Sequence, residues 1–215
     1  MAQLREAVIV DYQRTAFSRS RPREPERDVF NNLRVDDLSA DLMKEIVKRT
    51  KINPSEINEV VVGAARALGE QSPFGGRNVV FLSELPLSVA AHYVDRQCGS
   101  SMTCVDNGAM EIMCGFADVT MAVGMEHMTH LPMGGGGPVA PVDPNNPPKP
   151  WDGPNWKLFR DPKLAHLQLG VAMNMGLTAE KLAQHAGISR EEMDKFAYRS
   201  HRLAGKAIAD GYFKG

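Results

Sequence analysis

Residues 88–124 read SVAAHYVDRQCGSSMTCVDNGAMEIMCGFADVTMAVG. Ser88 to Val94 is a short apolar run with the look of a buried strand. Gly99 to Cys114 spaces Val105, Ala109, Ile112 and Met113 as one stripe of a helix. Asp118 to Gly124 returns to an apolar run and reads as another strand. A strand, a helix and a strand in that order imply parallel pairing through a right-handed crossover. The stretch therefore predicts an α/β layered fold.

Working towards the N-terminus, Glu59 to Gly63 (EVVVG) reads as a further buried strand. Arg77 to Leu85 is apolar at helical spacing and stops before Pro86. Val35 to Thr50 predicts a longer helix. Leu38, Leu42 and Ile46 fall at i, i+4 and i+8, with Met43 and Val47 beside them, and Asp36 and Asp37 suit its positive first turn. Pro54 to Ile57 looks like one helical turn, and Ala7 to Asp11 (AVIVD) is expected as an opening buried strand. Between them, Gln13 to Asp28 carries Arg14, Arg19, Arg21, Arg23 and Arg27. That segment reads as a solvated loop or as a basic phosphate-binding loop, and its interleaved Glu24 and Glu26 favour the first.

The character changes after Met125. Gly134 to Pro154 contains GGGGP and PNNPPKPWDGP, too rich in Gly and Pro for regular structure, and no strand-loop-helix frame with a P-loop Lys surrounds the glycines. Beyond it, Thr178 is expected to cap a helix through His185, and Ser189-Arg190-Glu191-Glu192 forms a capping box opening a helix to about Asp210. The expected organisation is a β/α domain over residues 1–124 and a loop domain over 125–215, the latter incomplete.

Composition narrows the class without naming it. The chain has 215 residues, 25 Lys+Arg against 26 Asp+Glu, and a net charge of −1. That balance argues against broad electrostatic binding of nucleic acid or anionic membrane. Three Cys exclude a disulfide scaffold and suit a reducing compartment. No apolar stretch approaches the roughly 18–20 residues of a membrane span, and MAQLREAVIV lacks signal-peptide architecture. A cytosolic enzyme or binding domain remains.

The octet Asp95 to Met102, DRQCGSSM, carries the chemistry. Cys98 stands just past a strand and just before a helix rich in small residues. A helix N-terminus offers partial positive charge and free N–H groups, which favour a thiolate and can face a developing oxyanion. Gly99, Ser100 and Ser101 leave room for substrate to approach the sulfur, and a nucleophile on a strand-turn-helix elbow recurs in acyl transfer. An inert buried thiol is the alternative. Cys104 and Cys114 fall inside the helix pattern, make no zinc-type spacing with Cys98, and are expected to be packing residues. In MEHMTH, Glu126 and His130 could share a helical face as metal ligands; structural packing or subunit contact is the favoured reading, and no metal is expected.

Taken together these stretches resemble the N-terminal part of the thiolase family, the acetyl-CoA acetyltransferases and 3-ketoacyl-CoA thiolases. REAVIVDYQRTAFSR (5–19) resembles the family's opening strand and RTPFG-type turn. DRQCGSSM resembles the nucleophile motif NRQC(A/G)SG(L/M), and GFADVTMAVGMEHMTHLPM (115–133) is similar to G-x-A-D-V-x-x-A-G-G-x-E-x-M-S-x-x-P. MGLTAEKLAQHAGISREEMDKFAYRSHRLAGKAIADGYF (175–213) resembles the MGxTAExxA…ISRExxDxxAxxSxxxAxxA block. The resemblance implies a thiolase-like layered fold whose first β/α repeat and irregular helical loop domain are present and whose C-terminal repeat is absent. It also implies that Cys98 becomes S-acylated, its backbone N–H serving the oxyanion hole. The reaction would be thiolysis of a 3-ketoacyl-CoA or the reverse Claisen condensation of acetyl-CoA. Coenzyme A and acyl-CoA would be substrates with no bound cofactor, in a cytoplasmic homodimer or homotetramer of fatty acid metabolism.

Other expectations follow from departures. The family's Asn of N-E-A-F, His of G-H-P and second Cys of C-x-G-G have no counterpart here. A fragment, or a short chain completed by a second polypeptide, would then lack acid–base help commonly worth about 10²–10⁴-fold. Asn174 stands where biosynthetic members resemble H-M-G, which tilts away from a short-chain biosynthetic enzyme, and Met175 is a candidate contact for substrate. The stretch from Pro138 to Lys157 matches no family pattern, and Trp151 and Trp156 within it are candidates for shielding a partner surface. A non-catalytic thiolase-like subunit that binds acyl-CoA or scaffolds a complex is the competing expectation.

Overall fold

A computed structural model describes residues 4–71, 73–132 and 157–213. The chain divides into two compact units, Met1–Pro141 and Val142–Gly215. The stretch from Gly134 to Pro154, with the GGGGP run, and Trp151 and Trp156 lie outside the described residues.

The first unit is built on a parallel sheet of β1 (Glu59–Gly63), β2 (Ala90–Val94) and β3 (Thr120–Gly124), in the order β2-β1-β3. Glu59 lies beside Ala90 and Thr120, and Gly63 beside Val94 and Gly124. Two strands start later than their apolar runs. The Val89 amide closes a turn onto the Pro86 carbonyl at 3.0 Å. The amides of Asp118 and Val119 donate to the Asn58 side chain at 2.7 and 3.0 Å, which takes the place of a ladder partner.

Three helices cover this sheet: α1 (Val35–Thr50), α2 (Arg77–Leu82) and α3 (Ser100–Cys114). Helix α2 ends before Leu85 because Glu84 turns the chain out with φ of 60°. On one sheet face Val60 and Val62 pack with Val79 and Val80 of α2 and Ala40 and Met43 of α1, all fully buried. Each such Val withdraws about 1.5–3 kcal/mol of apolar surface from water. Of the apolar positions of α1, Met43 and Val47 meet the core together with Ala40, while Leu38 and Leu42 line a cleft beside it.

Helix α3 covers the opposite face with its small side. Ser100, Thr103, Cys104 and Gly108 are its buried residues, whereas Val105 of the expected stripe is 40% exposed. Close approach explains the reversal. A Cβ at Gly124 would sit 2.5 Å from Ser101 Cβ, and one at Gly108 would sit 2.6 Å from Thr120 Oγ1. Only small groups fit there, so Met102, Val105 and Met110 turn outward.

The AVIVD run is a correction. It forms no strand, and Val8, Ile9 and Val10 are exposed. A strand is stable only against a neighbour, and among the described residues this segment has none. It is held by its ends instead: the Arg5 amide donates to the Met113 carbonyl at 3.1 Å, and Arg49 makes two hydrogen bonds to the Asp11 carboxylate.

The second unit contains α4 (Lys157–Arg160), α5 (Leu169–Ala172), α6 (Met175–Ala186) and α7 (Arg190–Ala209). Helix α6 starts earlier than Thr178, because Asn174 Oδ1 accepts the Leu177 amide at 3.1 Å. The Thr178 hydroxyl is instead bonded back to the carbonyls of Val171 and Asn174 at 2.6 and 3.0 Å. Ser189 and Glu192 form the reciprocal capping box of α7. Among the described residues no helix is long and apolar enough to cross a membrane.

Candidate active site

Strand β2 ends at Val94, and the chain reverses through Asp95-Arg96-Gln97-Cys98 into α3. Gln97 takes a left-handed φ of 51°, a conformation costly for a residue with a side chain. Asp95 supports it, accepting the Gln97 backbone and side-chain N–H groups at 3.2 Å each. The Gly99 and Ser100 amides donate to the carbonyls of Arg96 and Gln97 at 3.0 Å. Those two donors are therefore engaged inside the turn. The Cys98 backbone forms an isolated parallel bridge with Arg96, and Cys98 is exposed.

Two paired glycines bring the helix end to this place. Gly63 and Gly124 stand side by side at the C-terminal ends of β1 and β3. A Cβ at Gly63 would come within 2.7 Å of Cys104 Sγ and 3.1 Å of the Ser100 backbone. Their missing side chains let the first turn of α3 rest on the sheet, so Cys98 emerges at the carboxyl ends of parallel strands, where open α/β sheets bind ligands. A cleft of about 720 Å³ opens there. Cys98, Ala64 and Met125 border it, with Phe17, Phe30 and Leu38 on its apolar wall. Arg14 of the basic segment also lines it, but its guanidinium lies 4.4 Å over the Phe17 ring. Arg21 and Arg27 pair with Glu24, as a solvated loop would.

A polar scaffold backs the cleft. Asp28 accepts the hydroxyls of Ser18 and Thr129 and the Phe30 amide. Burial works to raise its pKa, but these three donors outweigh that and hold it below the usual carboxylate value. Glu126 accepts the Ala65 amide and the Gln71 side chain, each at 2.8 Å, and the Gln71 oxygen accepts the His127 amide at 2.7 Å. The His127 and His130 rings stack 3.7 Å apart at 5°. His127 donates through Nε2 to the Phe30 carbonyl, 3.2 Å away. His130 faces the Glu70 carboxylate at 2.8 Å and the Asn31 carbonyl at 2.7 Å. Burial disfavours its charge, yet the hydrogen bonds to Glu70 and Asn31 prevail and raise its pKa.

The structure does not bring Glu126 and His130 together on one helical face. Residues 126–130 form no helix, and Glu126 is committed to Ala65 and Gln71, whereas ligand atoms of Glu70, His127 and His130 lie within 4.8 Å of one another. Of the other cysteines, Cys104 is buried against β1, where burial pushes its thiol up to about 11. Cys114, expected to pack, is exposed at the last residue of α3. Met175 is the first residue of α6 in the other unit and is exposed. Sequence reasoning passed over Gly63 and Gly124, and read Ser100 only as leaving room for substrate. The signal was available in two apolar runs, EVVVG and TMAVG, that both end in glycine.

The family model for the N-terminal domain of thiolase matches residues 7–215. The chain belongs to the thiolase family. It is 39% identical over 212 residues to the 3-ketoacyl-CoA thiolase of Saccharophagus degradans, a match covering 98% of this chain and 48% of that protein. The 3-ketoacyl-CoA thiolase of Vibrio vulnificus gives the same identity and coverage. That of Acinetobacter baylyi is 35% identical over 210 residues, 98% of this chain and 47% of the relative. The chain thus spans about half the length of the curated relatives it matches. Its parallel sheet with helices on both faces is the α/β fold of a thiolase N-terminal domain.

Proposed function

We propose that this thiolase chain carries the nucleophile half of an acyl-CoA C-acyltransferase, with Cys98 as the acyl-bearing residue. The observation that supports the reading is an exposed sulfur on a left-handed elbow at the open end of a parallel sheet, bordering a cleft with an apolar wall. In thiolysis the Cys98 sulfur forms a bond to the 3-keto carbon of a 3-ketoacyl-CoA. The bond between that carbon and C2 then breaks, its electron pair leaving on the acetyl-CoA fragment, which takes a proton. The thiol of CoA next attacks the acyl-Cys98 thioester and frees the enzyme. Two easier steps replace one hard one, and CoA and acyl-CoA are substrates with no bound cofactor. The Cys98 amide, at the start of α3, serves the oxyanion in this reading. Assembly as a homodimer or homotetramer, or with a second chain supplying acid and base groups, belongs to this reading, as does a cytoplasmic place in fatty acid metabolism. So does the division at residue 124 into nucleophile and loop domains, with Met175 contacting substrate.

One observation favours a second reading, a thiolase-like subunit that holds acyl-CoA without turnover. Among the described residues no side chain hydrogen-bonds the Cys98 sulfur. Incubation of the chain with mass-tagged acetyl-CoA separates the two. A covalent acyl adduct in the parent, missing in Cys98→Ser, supports the first; binding of acyl-CoA with no adduct supports the second.

A further inference from the structure

The turn that presents Cys98 has one buried polar side chain at its centre. Ser100 is 2% exposed. Its Oγ accepts the Arg96 amide at 2.9 Å and lies 2.6 Å from the Gln97 carbonyl and 3.0 Å from the Ala64 carbonyl. One hydroxyl therefore joins three separate pieces: the residue entering the left-handed position, the residue in it, and the chain leaving β1. The Gln97 conformation is unfavourable by itself, so something outside the residue must hold it. Asp95 braces the turn from its exposed side, and Ser100 ties it to the sheet through the Ala64 carbonyl.

We infer that Ser100 is a positioning residue for Cys98, acting through the turn and not through substrate; the inference rests on the nucleophile reading of Cys98. Its hydroxyl fixes where the sulfur leaves the end of α3. Without it the Arg96 N–H loses its acceptor, a hydrogen bond worth about 0.5–1.5 kcal/mol. The turn then has reason to rotate until that donor reaches water. Such rotation relaxes Gln97 and carries the Cys98 sulfur off the helix end. A displacement of about 1 Å at a reacting atom can cost on the order of 10²-fold in a positioned reaction. A merely space-filling Ser100 would tolerate Ala, since the two side chains differ by one oxygen.

The test uses the intact chain and two of its own thiols. Cys98 and Cys114 are both exposed, and Cys114 lies at the far end of α3, remote in sequence from the turn. Iodoacetamide alkylation is followed by peptide mass spectrometry in the parent, Ser100→Ala and Ser100→Thr. Positioning predicts that Ser100→Ala slows Cys98 about tenfold relative to Cys114, and that Ser100→Thr, which retains the hydroxyl, stays within about threefold of the parent. A Cys98 to Cys114 ratio unchanged in Ser100→Ala overturns the inference. Should that variant not fold, amide hydrogen exchange on the parent decides. The Arg96 N–H is expected to be protected as strongly as the interior amides of α3, and exchange at the rate of a free loop amide overturns it. Alkylation does not depend on acyl transfer. An acyl adduct with an unchanged ratio therefore defeats only the positioning role. A changed ratio with no acyl adduct defeats the nucleophile reading instead.

Discussion

Gly63 and Cys104 are in direct opposition across the sheet–helix contact: a Cβ on the first would lie 2.7 Å from the sulfur of the second. That spacing is what allows α3 to lie on β1 with its small face down, and it sets the height at which Cys98 emerges.

Gly63→Ala is therefore expected to lower stability by about 1–3 kcal/mol, the usual range for overpacking. Urea denaturation of the single and double variants checks this. Because the clash is shared with the Cys104 sulfur, Gly63→Ala should cost less in a Cys104→Ala background than in the parent. Strict additivity of the two changes would show that the contact is not where the strain lies.

The three thiols should separate cleanly. Cys98 and Cys114 are exposed and Cys104 is buried, its pKa pushed up to about 11 by burial. A chromogenic disulfide reagent at about pH 8 is expected to titrate two thiols at once in the native chain and the third only on unfolding. Three fast thiols would mean that the α3–sheet contact opens readily.

How far the sequence disclosed these features depends on what each one needs. Helix α1 and the α7 capping box were readable because their signals are local: apolar spacing in one, Ser189 with Glu192 in the other. The strands β1 and β3 were readable because continuous apolar runs fit a sheet covered on both faces. AVIVD has the same composition, but strand formation is settled by a neighbour that composition does not contain. The face of α3 was misread for a related reason. Large apolar residues ordinarily mark the buried side, and here the glycines of another element excluded them. Thr178 and Asn174 could each cap α6, and only the backbone path decides in favour of Asn174. Cys98 was visible through its motif, and Ser100 only as a small residue beside it; the tie its hydroxyl makes between Arg96, Gln97 and Ala64 shows only in the geometry.

The His130–Glu70 pair makes stability depend on pH. The folded state raises the His130 pKa, so folding favours the protonated ring. Its contribution is fully present below the unfolded value of about 6.5 and is lost as pH rises through the higher folded value. His130→Gln is expected to cost about 1–2 kcal/mol near pH 5.5 and progressively less towards pH 9. Urea midpoints of parent and variant across that range measure it. A constant gap would show that the ring contributes by packing alone.

An uncovered apolar surface should make the chain associate with itself. Val8, Ile9, Val10, Met102, Met110 and Phe116 are all more than half exposed, and exposed apolar groups in such number mark interaction surfaces. Light scattering is expected to show a mean mass that rises with concentration, and Val105→Lys with Met110→Lys should reduce that rise. A single monomeric species at every concentration would count against the surface.

The most direct measurement of the nucleophile claim is residue-level mapping of the acyl adduct, because Cys98 and Cys114 are both exposed and only Cys98 sits on the elbow. After incubation with mass-tagged acetyl-CoA, the account predicts the tag on Cys98 alone and its discharge on adding free CoA. A tag shared between Cys98 and Cys114, or one on Cys98 that free CoA fails to remove, would contradict it.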